Sequence, residues 1–432
     1  MTPPLALRAY HFLGRAVTPA LPAVLRWRLR RGKEDAARLG ERQGFAGLPR
    51  PDGALAWLHG ASIGETMSML PLAARLIEQR FHVLITSGTV TSAELLAQRL
   101  PPGAMHQFVP LDAPDYAARF FAHWKPDIGI IAESELWPNL IGEAFRNGVK
   151  LVLVNARMSA RSAGRWQRVQ RIAGHLLSRF RLCLVQTAED EMRFRALGAA
   201  GVQIAGNLKY DAAAPVVNSG RLAALRRDTA GRRVWLAAST HAGEEAIVLA
   251  AHGRLCGLFP DIITIIVPRH PQRGSEVAAL AKALSVSVAL RSAGEAISAA
   301  TGVYVADSVG ELGLFYSLAP VSFIGRSFAR HGGQNPIEPA RLESAVLHGP
   351  HVENFSEVYS TFHREGGAIE VADAEALARQ IALLLTDESR CRQLVEGARR
   401  AAGSLGGATD RVMQALHPML VEAHDRHAGM QG

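Results

Sequence analysis

The chain has 432 residues, a net charge of +9 at pH 7 and 48% hydrophobic residues. That length exceeds what one ordinary core supports, so two domains are expected, and the composition excludes collagenous and disordered classes. The three cysteines, Cys183, Cys256 and Cys391, are scattered and odd in number; they fit a reducing compartment, form neither a disulfide framework nor a metal knot, and read as small core residues.

The charge is uneven. Residues 1–50 hold ten Lys/Arg against Glu34, Asp35 and Glu41, a surplus of seven. A basic end on a near-neutral body points to an anionic surface, either nucleic acid or lipid. The stretch AYHFLGRAVTPALPAVLRW (9–27) is apolar and aromatic and runs into RLRRGK. Arg15, Pro19 and Pro22 interrupt it as a membrane span, and the basic cluster lies on the wrong side for a signal peptide. An interfacial segment on a cytoplasmic membrane face fits it; an amphipathic helix packed on the protein's own body is the alternative.

From residue 54, apolar β-type runs alternate with helical patterns. Strands are expected at 54–60, 82–87, 106–112, 127–134, 150–156, 181–186 and 201–207. The stretch YDAAAPVVNSG (210–220) reads as a linker. A second series follows at 232–239, 262–268, 286–291, 302–308, 320–325, 345–350 and 368–371, and residues 372–426 are helical by pattern. Near-continuous apolar strands with crossover helices mean parallel sheets covered on both faces. The expectation is an α/β protein with two doubly wound domains and a cleft between them: residues 51–212 and 213–405, preceded by a basic segment 1–50 and followed by a C-terminal helix and tail, 406–432.

In such sheets ligands sit beyond the carboxyl ends of the strands, and those ends are rich here: HGASIGE (59–65), ESELWPN (133–139), NARMSARS (155–162), GNLKYD (206–211), STHAGEE (239–245), VPRHPQR (267–273), DSVGELG (307–313) and IGRSFARHGGQNPIEPA (324–340). Several suit an anion. Ser239 and Thr240 precede a helix beginning near Gly243, and Gly332-Gly333-Gln334-Asn335-Pro336 opens one at Ile337; free N–H groups at helix starts bind phosphate. Arg269 and His270 end a strand, Arg being the stronger phosphate partner. Glu338 could accept from ribose hydroxyls or simply offset a helix dipole. Glu65, at a strand-to-helix handover with Gly60 and Gly64 beside it, has the same two readings, a dipole partner worth about 0.3–1 kcal/mol or a base. Glu133 and Glu135 invite a metal, but no His or Asp joins them in the loop and no D-x-D pair accompanies them, so a metal-free site is expected. Arg157, Arg161, Arg165, Arg168 and Arg171 would line one side of a helix, as a solvated face or as a contact to a phosphorylated or membrane-borne partner.

In order and spacing these motifs resemble the 3-deoxy-D-manno-octulosonic acid (Kdo) transferases of Gram-negative bacteria. The resemblance runs from the basic segment to about residue 405. It implies the GT-B architecture, two Rossmann-like domains with the active-site cleft between them. It implies a metal-independent enzyme without cofactor that moves Kdo from CMP-Kdo to the tetraacylated, bisphosphorylated lipid A precursor, with inversion, on the cytoplasmic side of the inner membrane, in lipopolysaccharide biosynthesis. It assigns Glu65 as general base, Glu133 and Lys209 as transition-state stabilisers, and CMP contacts at Pro268-Arg269, Val309-Gly310-Glu311 and Asn335-Pro336-Ile337-Glu338. Ser239, Thr240, His270 and Gly333 complete the candidate CMP set, and Ser62, Arg157 and Arg161 are candidate acceptor contacts. Two other readings stay open: a GT-B transferase or epimerase using a UDP-sugar, and a non-enzymatic membrane- or nucleic-acid-binding protein. The chain lacks the aromatics interleaved on a basic stripe that single-strand nucleic-acid binders use, so nucleic acid is not an expected partner.

Overall fold

Fourteen apolar runs form fourteen strands among the described residues. The structure, a computed structural model, describes residues 2–211, 215 and 217–429, so part of the expected linker lies outside the described residues. Two compact units emerge, one taking the chain up to Asp211 and again from Gly406, the other lying between.

The first unit holds β1 (Leu55–Gly60), β2 (His82–Ser87), β3 (Ala104–Phe108), β4 (Ile128–Ala132), β5 (Lys150–Ala156), β6 (Phe180–Val185) and β7 (Val202–Ile204), in the order β3-β2-β1-β4-β5-β6-β7. Every pairing is parallel. All six residues of β1 are buried, because helices cover both faces. Its side chains alternate accordingly, Ala56 and Leu58 into one apolar cluster and Leu55 and Trp57 into the other. Trp57 is fully buried against Phe120 and Phe121 and donates its indole N–H to Thr86 at 2.9 Å; truncating such a residue to alanine costs about 3–5 kcal/mol.

The second unit holds β8 (Val234–Thr240), β9 (Ile263–Pro268), β10 (Val288–Leu290), β11 (Val303–Val305), β12 (Val321–Ile324), β13 (Ala345–His348) and β14 (Ala368–Glu370), in the order β10-β11-β9-β8-β12-β13-β14, again all parallel. The winding direction reverses between β1 and β4 in the first sheet and between β8 and β12 in the second. Such switch points open a crevice at the carboxyl ends of the two strands.

The C-terminal helix Ala408–Ala428 belongs to the first unit. Its Val412, Met413, Leu416, Met419 and Leu420 enter the same cluster as β1, β2 and β4. Asp211 accepts from the backbone N–H of Gly407 at 2.7 Å and from that of Thr409, and Arg411 donates to the Ala205 carbonyl at 2.8 Å.

The N-terminal stretch is two helices, Leu5–Val17 and Leu21–Arg30, separated by a 3-10 turn holding Pro19, with Pro22 in the first turn of the second, where its missing N–H is tolerated. No helix among the described residues is long and apolar enough to cross a membrane. The first helix docks through polar contacts: Tyr10 donates to Asp112 at 3.0 Å and His11 meets Asn139 at 3.0 Å. None of its residues is buried, and Leu5, Phe12, Leu13 and Val17 face solvent. The basic charge of residues 1–50 divides in two. Arg28 and Arg42 are paired with buried Glu34, Arg38 with Glu41, and Arg50 with backbone carbonyls; Arg8, Arg15, Arg26, Arg30, Arg31 and Lys33 remain exposed.

Candidate active site

In the first unit, the carboxyl ends of β1 and β4 bring three carboxylates and one ammonium together. After β1 the chain turns at once into the helix Ile63–Ser68. Gly60 makes that turn possible, since a Cβ there would stand 2.9 Å from the Thr66 nitrogen. Gly64 does not contribute to the turn: it lies inside the helix without a positive φ. Ser62 caps the helix, accepting from the Glu65 N–H at 3.4 Å. In return Glu65 accepts from the Ser62 hydroxyl at 2.5 Å and from the Ala61 N–H at 2.9 Å. Glu65 as a whole is 8% exposed. Both oxygens are fixed, and each retains a lone pair for a further donor.

After β4, Glu133 sits at φ 56°, and its N–H donates to the Val154 carbonyl at 2.9 Å. Such left-handed conformations in a non-glycine cost of order 1–3 kcal/mol and gather at functional sites. Its Oε1 receives the Lys209 ammonium at 2.6 Å. Lys209 is seated by a chain of amides. Asn155, at φ 53° near the end of β5, accepts from the Leu208 N–H at 3.0 Å; Asn207 accepts from the Lys209 N–H at 3.0 Å and donates to Gln186. Glu135 is the third carboxylate. Burial raises its pKa, the Trp137 indole N–H at 2.7 Å pulls it down, and the charges of Glu65 and Glu133 push it up.

Arg157, Arg161, Arg165, Arg168 and Arg171 do not line one helix. Arg157 precedes the cap residue Ser159, Arg161 and Arg165 lie on the helix Ala160–Gln167, and Val169, at φ −123° and ψ 39°, breaks the chain before Gln170–Leu177. All five are exposed. The Arg157 carbonyl accepts from the Ser134 hydroxyl, which ties this loop to the one carrying Glu133.

In the second unit, the loops after β8 and β12 are bound together by Glu244. This buried carboxylate accepts from the backbone N–H groups of His241 (2.9 Å), Arg326 (2.6 Å), Ser327 (2.8 Å) and Phe328 (3.1 Å). The protein's own acid thus takes up the His241 N–H ahead of this helix and three N–H groups of the loop after β12. Thr240 donates its hydroxyl to Glu245 at 3.0 Å, and its carbonyl accepts from the Arg269 N–H at 2.9 Å. Ser239 has φ 55° at a register shift in β8. Gly325 follows β12 directly, and a Cβ there would lie 2.5 Å from the Ser239 carbonyl oxygen, so β8 and β12 end in near contact.

Pro268 closes β9, and the exposed Arg269 and His270 follow, His270 edge-on to His241 with ring centroids 5.9 Å apart. Gly333, at φ 98°, donates to the Arg326 carbonyl at 2.5 Å. Asn335 accepts from the Ile337 N–H at 3.1 Å, so that group is already paired. Pro336 precedes the short helix Ile337–Arg341, which carries Glu338. Burial raises the Glu338 pKa while Arg269 and Arg341 lower it, so an acid and the exposed Arg269 stand together. Val309 is 85% exposed, and Gly310 has φ 80°. The Glu311 carboxylate is held by Arg291 at 2.6 and 2.8 Å and by Arg221 at 2.8 Å, and Arg291 foremost draws its pKa down to about 2. Its side chain is therefore engaged within the unit.

Three residues were not assigned a role from the sequence: Glu135, Asn155 and Glu244. ESE, NARMS and STHAGEE flagged them by position, but their function depends on hydrogen bonds that no spacing reveals.

Comparison with known proteins fixes the class. The solved UDP-GlcNAc 2-epimerase from Neisseria meningitidis superposes with a TM-score of 0.58 at 13% identity, over 84% of this chain and 100% of that one. A glycosyltransferase from Rickettsia africae does so with a TM-score of 0.58 at 11% identity, over 85% and 98%. The fold is that of the GT-B enzymes, two Rossmann-like units in one chain. Residues 37–212 match the family model for 3-deoxy-D-manno-octulosonic-acid transferase (kdotransferase). A probable mitochondrial 3-deoxy-D-manno-octulosonic acid transferase of Arabidopsis thaliana is 37% identical over 393 residues, 88% of each chain. The 3-deoxy-D-manno-octulosonic acid transferase of Haemophilus influenzae is 34% identical over 392 residues, 89% of this chain and 91% of that one. The chain belongs to the 3-deoxy-D-manno-octulosonic acid transferase family and is a glycosyltransferase.

Proposed function

We propose that the protein transfers Kdo from CMP-Kdo, with inversion, to a hydroxyl of the tetraacylated lipid A precursor, with Glu65 as general base. The observation that carries this reading is the Glu65 carboxylate, fixed at the β1/β4 switch point by Ala61 and Ser62 beside the Glu133–Lys209 pair. An inverting transfer needs one base, on the side of the sugar opposite the leaving group. Glu65 takes the proton of the acceptor hydroxyl as its oxygen bonds to the anomeric carbon, and the C–O bond to the CMP phosphate breaks with its electrons going to the phosphate. Cationic groups stabilise that developing charge. Lys209, with ammonium hydrogens left beyond its bond to Glu133, and the exposed Arg269 are the candidates, and Glu338 beside Arg269 suits a ribose hydroxyl.

The reaction is proposed to need no metal. The Lys209 ammonium already occupies Glu133 Oε1, and a cation placed among these carboxylates would have to displace it. The membrane reading rests on the first helix, whose Leu5, Phe12 and Leu13 are uncovered while six basic side chains of the segment stay exposed. That combination suits an interfacial position on the cytoplasmic face of an inner membrane.

Product analysis by mass spectrometry tests the reading. Purified protein with CMP-Kdo and the tetraacyl precursor should give Kdo-bearing lipid, and Glu65→Ala should abolish it while CMP still binds. Transfer by Glu65→Ala near the wild-type rate would remove the base assignment, and stabilisation by UDP but not CMP would remove the donor.

A further inference from the structure

The geometry points to a divalent transition-metal site of the zinc class, built from His348, His363 and Glu370 in the second unit, apart from the residues assigned to donor binding. His348 ends β13, Glu370 ends β14, and the two are register partners on adjacent parallel strands, so their side chains leave the same face of the sheet. His363 comes from the last turn of the helix Ser356–Arg364. One ligand atom from each of the three lies within 4.8 Å of the others.

The buried member is already oriented as a ligand. His348 is 0% exposed, and its Nδ1 stands 2.6 Å from the Gly349 carbonyl oxygen, which can only accept. The proton therefore resides on Nδ1, and the lone pair of Nε2 points at His363 Nε2, 3.0 Å away. A ring N–H given to a backbone carbonyl is the usual second-shell support of a metal-bound histidine. Two nitrogens at about 2.0–2.1 Å from one tetrahedral ion stand about 3.3 Å apart. The observed spacing needs only a few tenths of an ångström of widening, within reach of the exposed His363.

Without metal, His363 donates its Nε2 proton to His348. On binding, that proton moves through water to His363 Nδ1, both rings stay neutral, and the Glu370 carboxylate supplies the third bond. His363 and Glu370 are exposed, so the fourth position opens to water. Two imidazoles and one carboxylate favour zinc-class ions over Mg²⁺ or Ca²⁺, which prefer oxygen. The ion would also brace the Gly349 turn, whose N–H donates to the Ser327 hydroxyl at 2.8 Å beneath the loop after β12.

The test uses the full chain, free of any affinity tag and stripped with chelator. Zn²⁺ is titrated by calorimetry, and Co²⁺ by its visible absorption. About one ion per chain should bind, with melting temperature rising in Zn²⁺ and not in Mg²⁺. The exposed substitutions His363→Ala and Glu370→Gln, whose folds are checked by circular dichroism, should each weaken Zn²⁺ binding by at least about tenfold. Unchanged affinity in both variants, or no uptake by the parent chain, overturns the assignment.

Discussion

Lys209 Nζ lies 2.6 Å from Glu133 Oε1, and the two come from well-separated points of the first sheet's chain path, one after β7 and the other after β4. The Lys209 side chain is 41% exposed. An ion pair so open to water contributes about 0–1 kcal/mol, less than the left-handed backbone at Glu133 costs. Stability therefore does not explain the pair. Lys209→Ala should leave the urea midpoint nearly unchanged while the single-turnover transfer rate falls by about 10²–10³-fold, the range for losing one electrostatic stabiliser. A rate within twofold of wild type would remove Lys209 from the chemistry, and a large loss of stability would make the pair structural.

Glu65 separates two roles by choice of substitution. Glutamine keeps an oxygen for the Ala61 N–H, and the Ser62 hydroxyl can rotate to meet the new amide, so the cap survives. Alanine removes both bonds and should cost about 0.5–2 kcal/mol in stability, as lost caps do. Transfer should fall by about 10²–10⁴-fold in both variants. Equal melting curves for parent and Glu65→Gln, with activity lost only in the variant, would separate base from cap. If Glu65→Gln transfers Kdo normally, the carboxylate serves only the helix.

All fourteen strands were legible because buried parallel strands are near-continuous apolar runs, and Trp57 or Ile130 reads as buried without further context. The end of β3 was less legible. The apolar character of HQFVPLD continues to Leu111, but the strand stops at Phe108, two residues before Pro110, which has no N–H to give a ladder. The arginine series misled for a similar reason: spacing by three and four is preserved across the break at Val169, and nothing in side-chain chemistry marks the break. The role of Glu244 was hidden because three of its four N–H donors come from a loop more than eighty residues away. The destination of the C-terminal helix was hidden too, since amphipathic spacing tells which face is buried and not against what.

Acid unfolding should proceed in two limbs. His59 and His252 are buried, with pKa values lowered to about 4 against an ordinary 6.5. The unfolded chain binds protons there first, so their contribution is intact above about pH 6.5 and is lost as pH falls toward 4. Glu311 is depressed from 4.5 to about 2; its contribution is intact above about pH 4.5 and is lost as pH falls toward 2. Glu311→Gln should flatten the lower limb and leave the upper one in place. Urea midpoints measured from pH 7 to pH 2.5 decide it, and an unchanged lower limb in the variant would mean that the Arg291 and Arg221 contacts are not maintained in solution.

The uncovered face of the first helix allows a sharper test than deleting the segment. Deletion would also remove Arg38, Arg42 and Glu41, and Glu41 accepts from the Phe108 N–H at 2.7 Å, so the edge of the first sheet would suffer. Phe12 and Leu13 are 72% and 61% exposed, and replacing both with Asp should leave the melting temperature within a degree or two. Inserting one such side chain into the acyl boundary is worth about 1.5–3 kcal/mol, so the double variant should lose well over tenfold in partitioning to vesicles containing anionic lipid. Arg30→Glu with Arg31→Glu should lose affinity mainly at low salt, because exposed charges are screened within about 8–10 Å at physiological ionic strength. Cosedimentation with vesicles at two salt concentrations separates the two contributions. Undiminished binding by the Phe12 and Leu13 variant would mean that the apolar face meets something other than a lipid surface.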